Sequence, residues 1–354
     1  MLETSKIGKR CATACLFFVI GVAVLCAQSV VQHNCIVFYN CENLFEPSDN
    51  PEKLDDEFTP EGTRHWTYTR VREKATNLAR VIVAAGEGRA PMLVGLAEVE
   101  NDSVLMRLTR RTALREWEYD FIVTESPDVR GINVALLFQP MDFRLLGWKA
   151  VRVPMPDGAR PTRDLLHAWG RVVGGDTLDV IVCHLPSRLG GVKRSTANRQ
   201  AAHRVIRQLS DSLHRHRACP YVIVMGDMND YPDTRLLRKD MGFGQCLTNL
   251  MEPLQRDLKR GRLACGSHKY GGEWGFLDQF WVSCGLVGEG ALANDMKSRL
   301  WVDGAEAFHL PFMLTDDVTH MGHRPLRSYN GFQYEGGYSD HLPVRLELHI
   351  EYRP

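Results

Sequence analysis

The sequence has no excess of either charge: 43 Lys and Arg balance 43 Asp and Glu, and the formal net charge is zero. That removes the global basic field that holds non-specific binders on a nucleic acid, and leaves only a local basic groove as a route to such a ligand. No two of the ten cysteines form a Cys-x-x-Cys pair, so no structural zinc site is indicated. Internal repeats, low-complexity tracts and an evident linker are also missing. What remains is a chain of 354 residues, 44% hydrophobic and 24% charged, able to bury one large core or two small ones and neither fibrous nor disordered in composition.

A long apolar run stands at the N-terminus. Lys6, Lys9 and Arg10 precede "ACLFFVIGVAVLCA", and Ala27 and Ser29 supply small residues for a cleavage site. Residues 1–29 are expected to be a signal peptide and residues 30–354 the folded domain. The run is short for a bilayer span, which makes an uncleaved anchor the lesser alternative. The protein is therefore expected to be exported, to the periplasm, cell surface or medium, with no stable membrane span after cleavage. The seven cysteines left, from Cys35 to Cys284, are scattered, as small core hydrophobes are.

Past an acidic stretch that reads as surface, "EPSDNPEKLDDEFTPEG", the spacing of Val71, Ala75, Leu78 and Ile82 predicts a helix that stops at Gly86. "MLVGLAEV" reads as a buried strand, and "SVLMRLTRRTAL" as a second amphipathic helix capped by Ser103. Strand-like runs joined by short turns follow, then a long helix over "STANRQAAHRVIRQLSDSLHRH". This mixture predicts an α+β layered fold, two sheets face to face with helices outside.

The chemistry stands where strands end. Apolar "IVFY" runs into Asn40 and Glu42, "LVGLAEVEN" delivers Glu98, "VIVCHLPS" His184, and "VIVMGDMND" Asp227 and Asn229. "GFLDQFWVS" starts a strand at Asp278, and "GYSDHLPV" sets Asp340 and His341 before the last one. Such groups are costly at the ends of buried strands unless they meet a metal, a substrate or each other. Gathered at one rim, they suit metal-assisted hydrolysis of a phosphate ester. Hard oxygen donors such as Glu98 and Asp340 favour Mg²⁺, or Mn²⁺, over zinc. Asp227 can orient and deprotonate water, Asn229 can bond a phosphate oxygen, and His341 paired with Asp278 can be held protonated.

The ordered set "LAEVEN", "GDMND", "FLDQFWVS" and "YSDHLP" resembles the endonuclease/exonuclease/phosphatase superfamily, the fold of deoxyribonuclease I, abasic-site endonucleases, inositol-polyphosphate phosphatases and bacterial sphingomyelinases. The resemblance covers most of the expected mature chain, from Asn40 to the final strand, and implies a four-layer α/β sandwich, two mixed β-sheets flanked by helices, with the site at one edge. It implies that Asn40 closes the first strand in the pocket, Glu42 neighbours the metal and Glu98 is the main metal glutamate. It also implies that Asp227 and Asn229 are the catalytic Asp and Asn, Asp278 with His341 the Asp–His pair, and Asp340 the acid beside it. His184 is similar to the second histidine of the deoxyribonuclease and sphingomyelinase branches, although "RGINVALLF" offers no acid to buttress it. A finer likeness, in "HLPSRLGG" and "GSHKYGGEWGFLDQ", is to secreted bacterial members.

Arg188, Arg194 and Arg130, with Lys193 and Arg199, are candidates to hold substrate phosphates, and Lys269 with Trp274 for a substrate-side loop. The leading expectation is a secreted Mg²⁺-dependent phosphodiesterase, a nuclease acting on DNA or RNA. A sphingomyelinase-type phospholipase C, for which "WVDGAEAFHLPFML" could supply an apolar surface, or a phosphatase on a small ester is the alternative. A catalytically dead binding module is the reading from another class, disfavoured by the intact residue set.

Overall fold

The computed structural model describes residues 29–188, 191–241, 247–288 and 298–354, the side chains of residues 192–194 excepted. Residues 1–28 of the expected signal peptide, and the side chains of Lys193 and Arg194, lie outside the described residues. In chain order the first strands are β1 (Val30–Leu44), β2 (Leu93–Val99), β3 (Asp120–Val123), β4 (Asn133–Phe138), β5 (Phe143–Val151), β6 (Leu165–Val172), β7 (Thr177–His184), β8 (Tyr221–Asp227) and β9 (Leu247–Asn249). After them come β10 (His268–Tyr270), β11 (Glu273–Gly275), β12 (Asp278–Ser283), β13 (Ser298–Ala307), β14 (Leu314–Asp316), β15 (His323–Pro325), β16 (Tyr329–Asn330), β17 (Gln333–Tyr334) and β18 (Val344–Tyr352).

Two six-stranded sheets form the body, in the orders β13-β18-β1-β2-β4-β3 and β5-β6-β7-β8-β12-β9. Both are mixed: β1 with β2 and β7 with β8 run parallel, and the other pairs antiparallel. Alternation along β1 shows why the sheets stack. Ile36 and Phe38 enter the core between the sheets with Leu136, Val180, Ile223 and Phe280, while Val37 and Tyr39 face helices on the other side. This is the four-layer sandwich expected from the sequence.

The first helix, α1 (Tyr68–Ala85), buries Val71, Ala75, Leu78 and Ile82 as its spacing predicts, starts at a Thr67 cap and ends at Gly86. The second, α2 (Asp102–Arg110), is capped by Asn101, whose side chain accepts the Val104 N–H, and not by Ser103. Asn in extended conformation offers its oxygen to the first turn two residues earlier than the serine could. The long helix α3 (Val192–His216) covers the second sheet through Ala201, Ala202 and Ile206.

Two surface expectations change. The acidic stretch after β1 is anchored from within: Asp55 and Phe58 are buried, and Phe58 stacks on Phe45 at 4.5 Å in a small separate core with Trp66, Val71, Ile132 and Tyr329. "WVDGAEAFHLPFML" is no exposed apolar loop, because half of it is β13 and its neighbours Phe308 and Met313 pack into the core beneath α1. Among the described residues no helix is long and apolar enough to cross a membrane.

Candidate active site

Parallel pairing puts the C-terminal ends of β1 and β2, and of β7 and β8, on the same side of their sheets. Those ends carry Asn40, Glu98, His184 and Asp227, and β12 begins at Asp278, the cross-strand partner of Asp227. His184 is likewise the partner of Asp227 across β7 and β8. That approach requires Gly226, because a Cβ there would lie 2.1 Å from the Cys183 carbonyl oxygen. Elsewhere at the rim the chain departs from regular extension. Glu42, Asn43, Glu98 and Asn229 have φ of 51°, 60°, 59° and 49°, and the β1–β2 and β2–β4 registers shift beside the first three. Left-handed backbone in non-glycine residues is unfavourable, and concentrating it here turns polar side chains out of the sheet edge.

Asp227 is the centre of the network. Its Oδ1 accepts the Asn229 N–H at 2.8 Å and its Oδ2 the Asn40 side-chain N–H at 3.3 Å. His184 Nε2 stands 3.5 Å and His341 Nε2 3.9 Å from that second oxygen. Burial pushes the Asp227 carboxyl up to about 7, with the His341 charge opposing and Asp278 and Glu98 adding to it.

The two histidines hold different protonation states. For His341 burial alone would lower the pKa, but the Asp278 charge and hydrogen bond, with Asp340 and Asp227, outweigh it and hold the ring well above its ordinary value as imidazolium. For His184 burial, then the charges of Arg163, Arg130 and His341, pull the pKa well below its ordinary value, so the ring is neutral. Its Nδ1 is buried and has no hydrogen-bond partner among the described residues, while Nε2 faces Asp227 and, at 4.0 Å, Glu98. Two carboxylates before one nitrogen assign the proton to Nε2. The buttressing acid missing from the sequence is missing from the fold too, among the described residues.

Glu98 Oε2 accepts the Asn43 N–H at 3.0 Å and lies 3.8 Å from Arg130, which also donates to the Asn43 side chain. On the other flank Asp340 pairs with Arg327 at 2.8 Å. Burial would raise the Asp340 pKa, but His341, Arg327, His268 and Lys74 together bring it down to about 2. Glu42 is more enclosed than a metal neighbour needs to be. Its Oε2 accepts the Ser328 N–H at 2.7 Å and lies 3.7 Å from Lys74, and its Oε1 lies 3.5 Å from Arg327.

Asn40, Glu98, His184, Asp227, Asn229, Asp278 and His341 thus meet at one rim, with Asp340, Glu42 and Arg130 bordering it. Arg188 is held 3.4 Å from Asp230 with its guanidinium over the Tyr231 ring. Arg199 is fully buried 3.5 Å from the other Asp230 oxygen, so it braces α3 and does not meet substrate as expected. Lys269, also expected at a substrate loop, is buried against Asp317 at 2.8 Å. Sequence reasoning missed Lys74, Arg327 and His268, whose ring centroid lies 4.6 Å from that of His341. Lys74 had a signal: it occupies the buried stripe of α1 beside Val71, Ala75 and Leu78. Arg327 and His268 lie in irregular or very short segments, where no periodicity points to them.

The donor set fits a hard divalent cation. Among the described residues Asp227 and Asp340 each stand in a cluster of ligand-type atoms within 4.8 Å of one another, Asp227 with Asp278 and His341 and Asp340 with His268 and His341, and Glu98 joins the rim through His184 at 4.0 Å. The adjacent Cys183 thiol is taken up by the Met225 carbonyl and the Met228 sulfur, which leaves oxygen donors for a hard ion.

A model of the endonuclease/exonuclease/phosphatase family matches residues 35–350. The chain belongs to that family. Family members are divalent-metal-dependent phosphoric ester hydrolases. No curated protein matches the sequence. Solved structures carry the fold at low identity. The mannosyl-6-phosphatase of Bacteroides thetaiotaomicron is 13% identical with a TM-score of 0.55, over 89% of this chain and 99% of that one. TDP2 of D. rerio, complexed with single-strand DNA product, is 15% identical with a TM-score of 0.53, over 90% and 99%. The human nocturnin catalytic domain with bound sulfate is 14% identical with a TM-score of 0.52, over 91% and 96%.

Proposed function

We propose that this protein is an exported, Mg²⁺-dependent phosphodiesterase that cleaves nucleic acid, DNA or RNA, by in-line attack of water. The observation that carries the reading is the convergence at one rim of Asp227, fixed by Asn229 and Asn40, with the His341–Asp278 pair and with His184, whose Nε2 faces both Asp227 and Glu98. Glu98 and Asp340 would hold the ion, with Glu42 at its border. When bound, the metal supplies charge stabilisation on the phosphoryl oxygens.

The remaining steps belong to the chain's own groups. Asp227, fixed by Asn229 and Asn40, takes a proton from the attacking water, whose oxygen forms the new P–O bond as the opposite P–O bond breaks, and the departing oxygen leaves as the alcohol after taking a proton from solvent. His341, held by Asp278, neutralises charge gathering on the phosphate. His184 Nε2–H and the second side-chain N–H of Asn229, whose first is given to the Leu185 carbonyl, donate to phosphate oxygens. Arg130 adds positive charge on the Glu98 side. TDP2, a neighbour in fold, is recorded with a DNA product, which supports nucleic acid as substrate.

A compact phosphate ester is the second reading. It is favoured by a cleft of roughly 220 Å³ beside Asp340, smaller than a usual ligand site, and by the mannosyl-6-phosphatase neighbour. Incubating mature protein with supercoiled plasmid, single-stranded RNA and small phosphate esters, with Mg²⁺ or a chelator, separates these. Metal-dependent nicking lost in Asp227→Asn supports the nuclease; turnover of small esters alone by folded protein rejects it.

A further inference from the structure

The cleft beside Asp340 is a built pocket with its own support. Its lining includes Phe58, Arg64, Trp66, Arg327, Tyr329 and Asp340. The aromatic wall rests on the small separate core: Phe58, Trp66 and Tyr329 are nearly buried, and the Tyr329 hydroxyl donates to the Arg64 carbonyl oxygen at 2.7 Å. Arg64 reaches over Tyr329 and Phe332, with its guanidinium carbon 5.0 and 5.1 Å from the ring centres, and donates to the Gly331 carbonyl at the β16–β17 turn.

Lys74 holds the other wall. Its ammonium donates to Ser328 Oγ at 2.6 Å and to the Tyr338 carbonyl at 2.7 Å, so one buried cation ties the Arg327–Tyr329 segment to the loop that carries Asp340 and His341. A glycine allows that contact to be close: a Cβ on Gly337 would meet the Arg327 carbonyl oxygen at 2.4 Å.

The charges around the cleft cancel locally. Arg64 pairs with Glu57 at 2.9 Å, Arg327 with Asp340 and Glu42, and Lys74 with Glu42. A wall whose cations are already paired favours a neutral occupant over an extra anion, and its aromatic edges and fixed polar atoms suit a ring that is apolar on its faces and hydroxylated at its rim. At roughly 220 Å³ the cleft is of the size of one such ring.

We infer that this cleft receives a single neutral, hydroxyl-bearing sugar ring attached to the scissile phosphate, with Arg64 and Tyr329 as specificity-determining residues. The inference rests on the phosphoester reading of the rim and narrows its substrate. A ring seated there belongs to a nucleotide or to a sugar phosphate, the shared group being one phosphorylated pentose or hexose.

Calorimetric titration of the Asp227→Asn protein with Mg²⁺ tests this without turnover. Thymidine 5′-monophosphate, glucose 6-phosphate and inorganic phosphate are the three probes. At least one ring phosphate should bind about tenfold or more tighter than inorganic phosphate, and adding Arg64→Ala should collapse that ratio toward one. Preference for the thymidine compound places a nucleotide in the cleft; preference for the glucose compound places a hexose there. Arg64→Gln, which keeps a donor for Gly331, serves if the alanine variant unfolds, and it should also shrink the ratio. Equal affinity for all three probes, or a ratio untouched by the folded Arg64 variants, overturns the inference. The binding ratio is independent of hydrolysis, so failure of the rim chemistry appears separately, as an inert wild-type enzyme that still discriminates.

Discussion

His341 Nδ1 lies 2.7 Å from Asp278 Oδ2, and both side chains are nearly buried. A buried imidazole next to a carboxylate keeps its proton because the ion pair and hydrogen bond outweigh desolvation. Its folded pKa is above the unfolded one, so the pair's stabilisation is complete below about pH 6.5 and is lost as pH rises through the folded value. Asp278→Asn should bring the His341 titration below neutrality and cut turnover by roughly 10²-fold. Ring resonances of His341 followed by NMR check this; an unchanged titration contradicts the pairing.

Asp227 gives the same sign of pH dependence in a lower window. Burial raises its folded pKa to about 7. The unfolded chain therefore releases this proton first, and stability of the metal-free protein falls as pH rises from about 4 to about 7. At pH 8 and in chelator, Asp227→Asn should be more stable than wild type by up to about 4 kcal/mol, and Mg²⁺ should narrow the gap. Thermal melts between pH 5 and 8 measure it. Parallel pH profiles for the two proteins would show that Asp227 carries no such penalty.

Lys74 is 1% exposed and has three partners in Ser328, Tyr338 and Glu42. Lys74→Met leaves Glu42 and two oxygens without this donor, so it should cost about 3 kcal/mol or more in chemical denaturation. Adding Glu42→Gln should recover part of that loss, because the uncompensated charge is gone. Strict additivity in this double-mutant cycle would mean that the two side chains do not interact.

The layers were legible because apolar runs and helical spacing report burial directly: "MLVGLAEV" as a buried strand and the Val71 to Ile82 stripe could be read from the chain, whereas Ile36 and Phe38 part from Val37 and Tyr39 only in the fold, since all four are apolar. The rim was legible for a related reason, since Asn40, Glu98, His184 and Asp227 each interrupt an apolar run. What supports the rim was not. Arg327 meets Asp340 and Glu42 from an irregular segment whose path depends on the small core around Trp66 and Tyr329, and no local pattern encodes that path. The burial of Arg199 and Lys269 was hidden because a charged residue beside a motif looks the same in sequence whether it faces substrate or a carboxylate such as Asp230 or Asp317.

The most direct test of the central claim, metal-dependent phosphoester hydrolysis at this rim, is hydrolysis of bis(p-nitrophenyl) phosphate against Mg²⁺ concentration by wild type and Glu98→Gln. The account predicts no turnover in chelator, saturation with Mg²⁺, and a loss of roughly a hundredfold or more in Glu98→Gln, with a higher Mg²⁺ requirement. Turnover that persists in chelator, or a folded Glu98→Gln protein with the wild-type rate and Mg²⁺ dependence, would contradict it.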